Sequence, residues 1–120
     1  MKKAKIRKKT IAAAADLLFE KGYVSPVDLL LRMEVISPQD YRDWRLGRVA
    51  YLERVTDGGL GKLNTILREL RAFARSQGLK PSKTVYNKWG KGNKKRLCFS
   101  KSGRSNVEDI YATHFVKQER

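Results

Sequence analysis

Seven apolar residues, Leu60, Leu63, Ile66, Leu67, Leu70, Phe73 and Ala74, recur at spacings of three or one. That is the stripe of a long amphipathic helix, and no alternating strand period reproduces it. Gly78 stands where such a helix would close, and Pro81 follows to keep it closed. A helix of this length must bury its stripe against other elements, so the fold has to supply a helical partner layer. At about 100° per residue, Asn64, Arg68, Arg71 and Arg75 fall together on the side away from the stripe. The same helix that demands a core therefore offers solvent a line of cations.

The rest of the chain provides partners for it. Ile11, Ala14, Ala15 and Leu18 recur at helical spacing, predicting a helix over 5–21 with Gly22 just past its end. Ser25-Pro26-Val27-Asp28 and Ser37-Pro38-Gln39-Asp40 repeat the pattern S-P-x-D. Each is a helix start: a serine cap, a proline where a missing N–H costs nothing, and a carboxylate near orphan amides. They predict short helices over 26–33 and 38–46, with a further one over 48–55. After Pro81 the period changes to that of strands, over 84–89 and 96–100, joined by the basic turn Gly90-Lys91-Gly92-Asn93-Lys94. Alternation sets Val85, Asn87 and Trp89 on one face and Thr84, Tyr86 and Lys88 on the other, with Leu97 and Phe99 as core candidates. Ser105-Asn106-Val107-Glu108 has capping-box form and predicts a last helix from about 106. The expected fold is α+β and predominantly helical, about five to six helices with one C-terminal basic β-hairpin. A basic arm over 1–10 leads into a single globular domain over 11–116, and 117–120 should fray.

Charge decides which partners such a domain invites. The net charge is +15, from 27 Lys and Arg against 12 Asp and Glu. It is segregated: residues 1–10 carry six cations and no acid, and residues 61–104 carry thirteen cations and the single acid Glu69. The intervening residues 11–60 hold six cations and eight acids, like an ordinary globular surface. Scattered charge of both signs would serve solubility; segregation of this kind predicts a surface for a polyanion, nucleic acid first. The candidate contacts are Lys62, Asn64, Arg68, Arg71 and Arg75 on the helix. On and beside the hairpin they are Lys83, Tyr86, Lys88, Trp89, Lys91, Lys94, Lys95, Arg96, Lys101 and Arg104. The arm adds Lys2, Lys3, Lys5, Arg7, Lys8 and Lys9. Guanidinium can engage two phosphate oxygens together, and exposed aromatics can stack on bases.

Two local resemblances bear on the mode of binding. Gly59-Leu60-Gly61-Lys62 resembles the turn of helix-hairpin-helix modules, which grip the sugar-phosphate backbone, although Arg68 and Glu69 stand where that family buries aliphatics. The order helix, turn, helix, basic hairpin resembles winged-helix domains. That resemblance implies that the long helix lies against a groove, that Gly90–Lys94 is the wing, and that DNA is slightly favoured over RNA. The long helix and the extra helices over 26–46 depart from that pattern. The glycine-rich string is not a phosphate-binding P-loop, because Leu63 replaces the required Ser or Thr.

Catalysis is the second reading. The sole histidine, His114, shares a helical face with Val107, Ile110 and Tyr111 and reads as a core residue; with Arg104, Tyr111 and Lys101 it would form an RNA-cleaving site of a small toxin or nuclease only if the fold gathers them. Docking on an acidic protein or nucleoprotein complex is the third reading. Residues 26–57, with Met33, Tyr41, Trp44 and Tyr51, offer a partner or homodimer face. One Cys and one His give little basis for a metal site, and no cofactor is expected. No apolar run approaches membrane-spanning length. The lone Cys98 favours a reducing compartment, so the expectation is a non-enzymatic, cytoplasmic nucleic-acid-binding protein.

Overall fold

A computed structural model describes residues 3–92 and 94–118. Its elements run α1 (Lys3–Lys21), β1 (Tyr23–Val24), α2 (Pro26–Arg32), α3 (Pro38–Arg45), a 3₁₀ turn (Leu52–Val55), α4 (Gly59–Ser76), β2 (Lys80–Lys83), α5 (Ser105–Ala112) and β3 (Thr113–Val116). The fold is mostly helical with a small antiparallel sheet of order β1-β3-β2.

The stripe of α4 is buried as its spacing requires: Leu63, Ile66, Leu67, Leu70, Phe73 and Ala74 are core residues, and only Leu60 is exposed. Gly78 follows with φ +65°, a conformation that suits glycine. Helix α1 lies along α4 and begins at Lys3, so the basic segment is helical from Lys3 onward rather than an arm. Lys2 lies outside the described residues. The buried face of α1 is Ile6, Thr10, Ala13, Ala14 and Leu17, not the face of Ile11, Ala15 and Leu18. Alanines carry so little burial preference that their neighbours choose the phase, and Thr10 can be buried because its hydroxyl donates to the Ile6 carbonyl at 2.7 Å.

Both S-P-x-D starts are caps: Ser25 Oγ accepts from the Asp28 amide and Ser37 Oγ from the Asp40 amide, each at 3.0 Å. The helix expected over 48–55 shrinks to the 3₁₀ turn. Trp44, fully buried, donates its indole N–H to the Cys98 carbonyl at 2.8 Å and packs on Tyr86 and Phe99.

The basic hairpin is the largest departure. Residues 84–89 and 96–100 face each other through a single bridge, Asn87 with Arg96, while the sheet forms from other segments. Two backbone bonds flank that bridge, from the Lys88 amide to the Lys95 carbonyl at 2.7 Å and from the Leu97 amide to the Tyr86 carbonyl at 2.9 Å, while other backbone groups of the two segments are taken elsewhere. The Thr84 amide donates to Ala112, the Trp89 amide to Arg45, and the Cys98 and Phe99 carbonyls accept from Leu52 and Glu53. The face assignment survives: Tyr86, Leu97 and Phe99 are buried, whereas Val85 and Trp89 are exposed. Strand β3 is central, pairing Val24 with Phe115 on one side and Ser82 with His114 on the other. Strand β2 is an exposed edge whose Lys80, Pro81 and Lys83 discourage further pairing. His114 therefore lies in a strand, not on a helical face.

The capping box does not form. Arg104 occupies the cap position of α5 without a side-chain bond. Glu108 instead accepts from the Phe99 amide, the Ser100 amide and the Ser100 hydroxyl at 2.8, 2.7 and 2.6 Å. No helix among the described residues is long and apolar enough to cross a membrane.

Candidate nucleic-acid interface

The outward side of α4 is a ridge between two flanks. On one flank α1 packs against it, and Glu69, the only acid on α4, sits between two arginines there. Arg7 Nε of α1 is 3.4 Å from one Glu69 oxygen, and Arg68 Nε is 4.0 Å from the other. Both contacts run through Nε, which leaves the terminal guanidinium N–H groups to meet solvent or a phosphate. On the other flank Asn64, Arg68 and Arg71 line a cleft of about 210 Å³ against Val107, Ile110 and Tyr111 of α5. Asn64 and Val107 continue into a second cleft with Leu60, Lys101 and Ser102. The loop carrying Lys101 is pinned there by two carboxylates. Glu108 holds Ser100, while Glu53 accepts from the Lys101 amide at 3.0 Å and from the Tyr111 hydroxyl at 2.7 Å. Cations from α1, α4 and this loop thus adjoin one ridge.

At the start of α4, Gly58 is left-handed at φ +95°, no side chain caps the helix, and its first turn holds no acid. Lys3, Ile6, Gly58, Gly61, Lys62 and Thr65 line a hollow there. Free amides, the helix dipole and two lysines make it favourable to an anion. The string Gly59–Lys62 is the first turn of α4 and not a turn between helices, so the helix-hairpin-helix likeness is not reproduced. No protein family, curated protein or solved structure matches the chain. Its site is read from geometry.

The ribbon forms a second basic group, built on α3. The Trp89 amide donates to the Arg45 carbonyl at 2.7 Å, and the stem of Lys88 lies against Gly47. Lys91, Lys94, Lys95 and Arg96 are exposed, and with Arg75, Lys101 and Arg104 they meet no carboxylate at ion-pair distance among the described residues. Lys83 is engaged, 3.0 Å from Asp109. Tyr86, a candidate for stacking on bases, is buried; its hydroxyl shares a 2.9 Å hydrogen bond with His114 Nε2, and burial holds its pKa well above the ordinary value. Arg45 was overlooked as a functional residue. Its spacing of three from Arg42 and from Arg48 on the last turn of α3 was the available signal.

The residues of the nuclease reading are not gathered. His114 is stacked on Tyr23 with ring centroids 5.6 Å apart and bonded to Tyr86, and burial pushes its pKa down. Tyr111 and Lys101 instead converge on Glu53. Among the described residues no three of His, Cys, Asp and Glu cluster to hold a metal. The Cys98 thiol is pushed up by burial and by nearby Glu108, and donates to the Ser100 carbonyl at 3.2 Å.

Proposed function

We propose that this protein binds nucleic acid through its sugar-phosphate backbone, without catalysis, using the α4 ridge as the principal contact. The observation that carries the reading is the flanking of α4 by cations from three elements, Arg7, Arg68 with Arg71, and Lys101, while the one acid of α4 itself is shared by two arginines. Lys3 and Lys62 beside the start of α4, and Arg75 in line with Arg68 and Arg71, extend the ridge, while the exposed Lys5, Lys8 and Lys9 add positive charge on α1. The ribbon lysines add a second contact. The order long helix then basic ribbon in the sequence resembles that of winged-helix modules, and on that likeness DNA is slightly favoured over RNA, with Gly90–Lys94 as the wing. A cytoplasmic location goes with this reading, as one cysteine leaves no disulfide to form within the chain.

With about 6–8 phosphates engaged, log affinity for duplex DNA falls with log salt at a slope of about −5 to −7. Replacing Arg7, Arg68 and Arg71 together by Ala flattens that slope by about 2–3 and weakens all sequences alike. Binding that is insensitive to salt sinks the proposal. Capture of an acidic protein that survives nuclease treatment moves the reading to a protein partner.

A further inference from the structure

The chain has two tryptophans, and the fold treats them oppositely. Trp44 is wholly buried, whereas Trp89 keeps 43% of its surface exposed. Trp89 is nevertheless held in place. Its amide is bonded to Arg45, and Tyr41 meets its ring at 89° with centroids 5.8 Å apart.

A built stack lies beneath it. The Arg45 guanidinium carbon is 5.1 Å from the Tyr86 ring centroid and 4.6 Å from that of Trp89. Tyr86 in turn packs on Phe99 and Trp44 in the core. The order from core to solvent is therefore Tyr86, Arg45, Trp89. Seated on the guanidinium and still 43% exposed, the indole keeps part of its surface open to solvent. The Arg45 Nε is buried with no hydrogen-bond partner among the described residues. The guanidinium is held by π-faces. Lys88 precedes Trp89 in the same ribbon, and the exposed Lys91, Lys94 and Lys95 follow it, a supply of cations for the phosphates of a stacked nucleotide.

A part-exposed indole held over a cation, with lysines in the same ribbon, matches the chemistry of a nucleobase with its phosphates. A base in the interior of a duplex has no free face to offer, so away from duplex ends only an unpaired base can continue the stack. We infer that Trp89, seated on Arg45, stacks an unpaired nucleobase, and that the nucleic acid bound carries single-stranded nucleotides. This rests on the nucleic-acid reading above and divides the work: the α4 ridge neutralises backbone, and the ribbon takes a base.

The test uses the full chain and three probes: an oligodeoxyadenylate of about 12 nucleotides, the blunt duplex of equal length, and inorganic polyphosphate. Binding and tryptophan emission are recorded together. The single strand quenches the exposed Trp89 emission, and polyphosphate binds without quenching. Trp89→Ala weakens single-strand binding by roughly 5- to 150-fold while leaving polyphosphate binding and the buried Trp44 emission unchanged. Trp89→Phe keeps most of the affinity. If the single strand binds without quenching and Trp89→Ala binds it as tightly as before, the base seat is overturned while the backbone reading stands. If no probe binds at low salt, the backbone reading itself has failed.

Discussion

Glu108 is one carboxylate fixing one loop. Its three short bonds to Phe99 and Ser100 satisfy two amides and a hydroxyl on a segment that has little sheet pairing of its own. Glu108→Ala removes three charge-assisted bonds and leaves part-buried donors orphaned, so urea unfolding should show a loss of about 3 kcal/mol. An unchanged midpoint would mean that the loop stands without it. His114 acts through titration. Burial lowers its pKa in the folded chain, so below the unfolded value of about 6.5 the unfolded chain binds the proton more readily. Stability is undiminished by this group above that pH and falls as the pH drops through the window down to the folded pKa. Denaturant midpoints measured from pH 7.5 to pH 5 on about five samples check the sign, and His114→Gln should flatten that part of the profile.

At the scale of elements, α1 carries its charge on a structural helix. Ile6 is buried in the second turn, between Lys5 and Arg7, which are exposed. Ile6→Ala should therefore cost about 2–4 kcal/mol in thermal or urea unfolding, whereas a flexible arm would lose almost nothing. The two serine caps and the α4 stripe were legible in the sequence because each is a local rule: a side chain satisfies an amide three residues on, or a period repeats along one helix. The extent of pairing within 84–100 was not: the ribbon keeps only the backbone bonds around Asn87 and Arg96. Alternation identified which side chains turn inward, but whether two extended segments bond to each other depends on what else offers them donors and acceptors. Here Arg45, Leu52, Glu53, Glu108 and Ala112 do so. Likewise Ser105-x-x-Glu108 has cap spelling, yet Glu108 finds stronger charge-assisted partners in the loop.

For the whole molecule, a net charge of +15 on 120 residues costs stability through self-repulsion, and salt relieves it. As salt rises from about 0.01 M to about 0.5 M, the screening length falls from about 30 Å to below 10 Å, and Tm should rise by roughly 5 °C. A Tm that falls across that range in scanning calorimetry would show that the seven ion pairs among the described residues outweigh the repulsion.

The sequence by itself determined the helical stripe, the caps, the segregation of charge and which ribbon residues face inward, because each depends on residues near one another in the chain. Only the tertiary structure decided that α1 starts at Lys3 and brings Arg7 to Glu69, and that Tyr86 is buried while Trp89 caps an arginine. These are meetings between residues 28 to 62 or more positions apart in chain order, with Tyr86 to His114 and Arg7 to Glu69 as the examples. They follow from which surfaces bury the most apolar area together, and no local spacing encodes that.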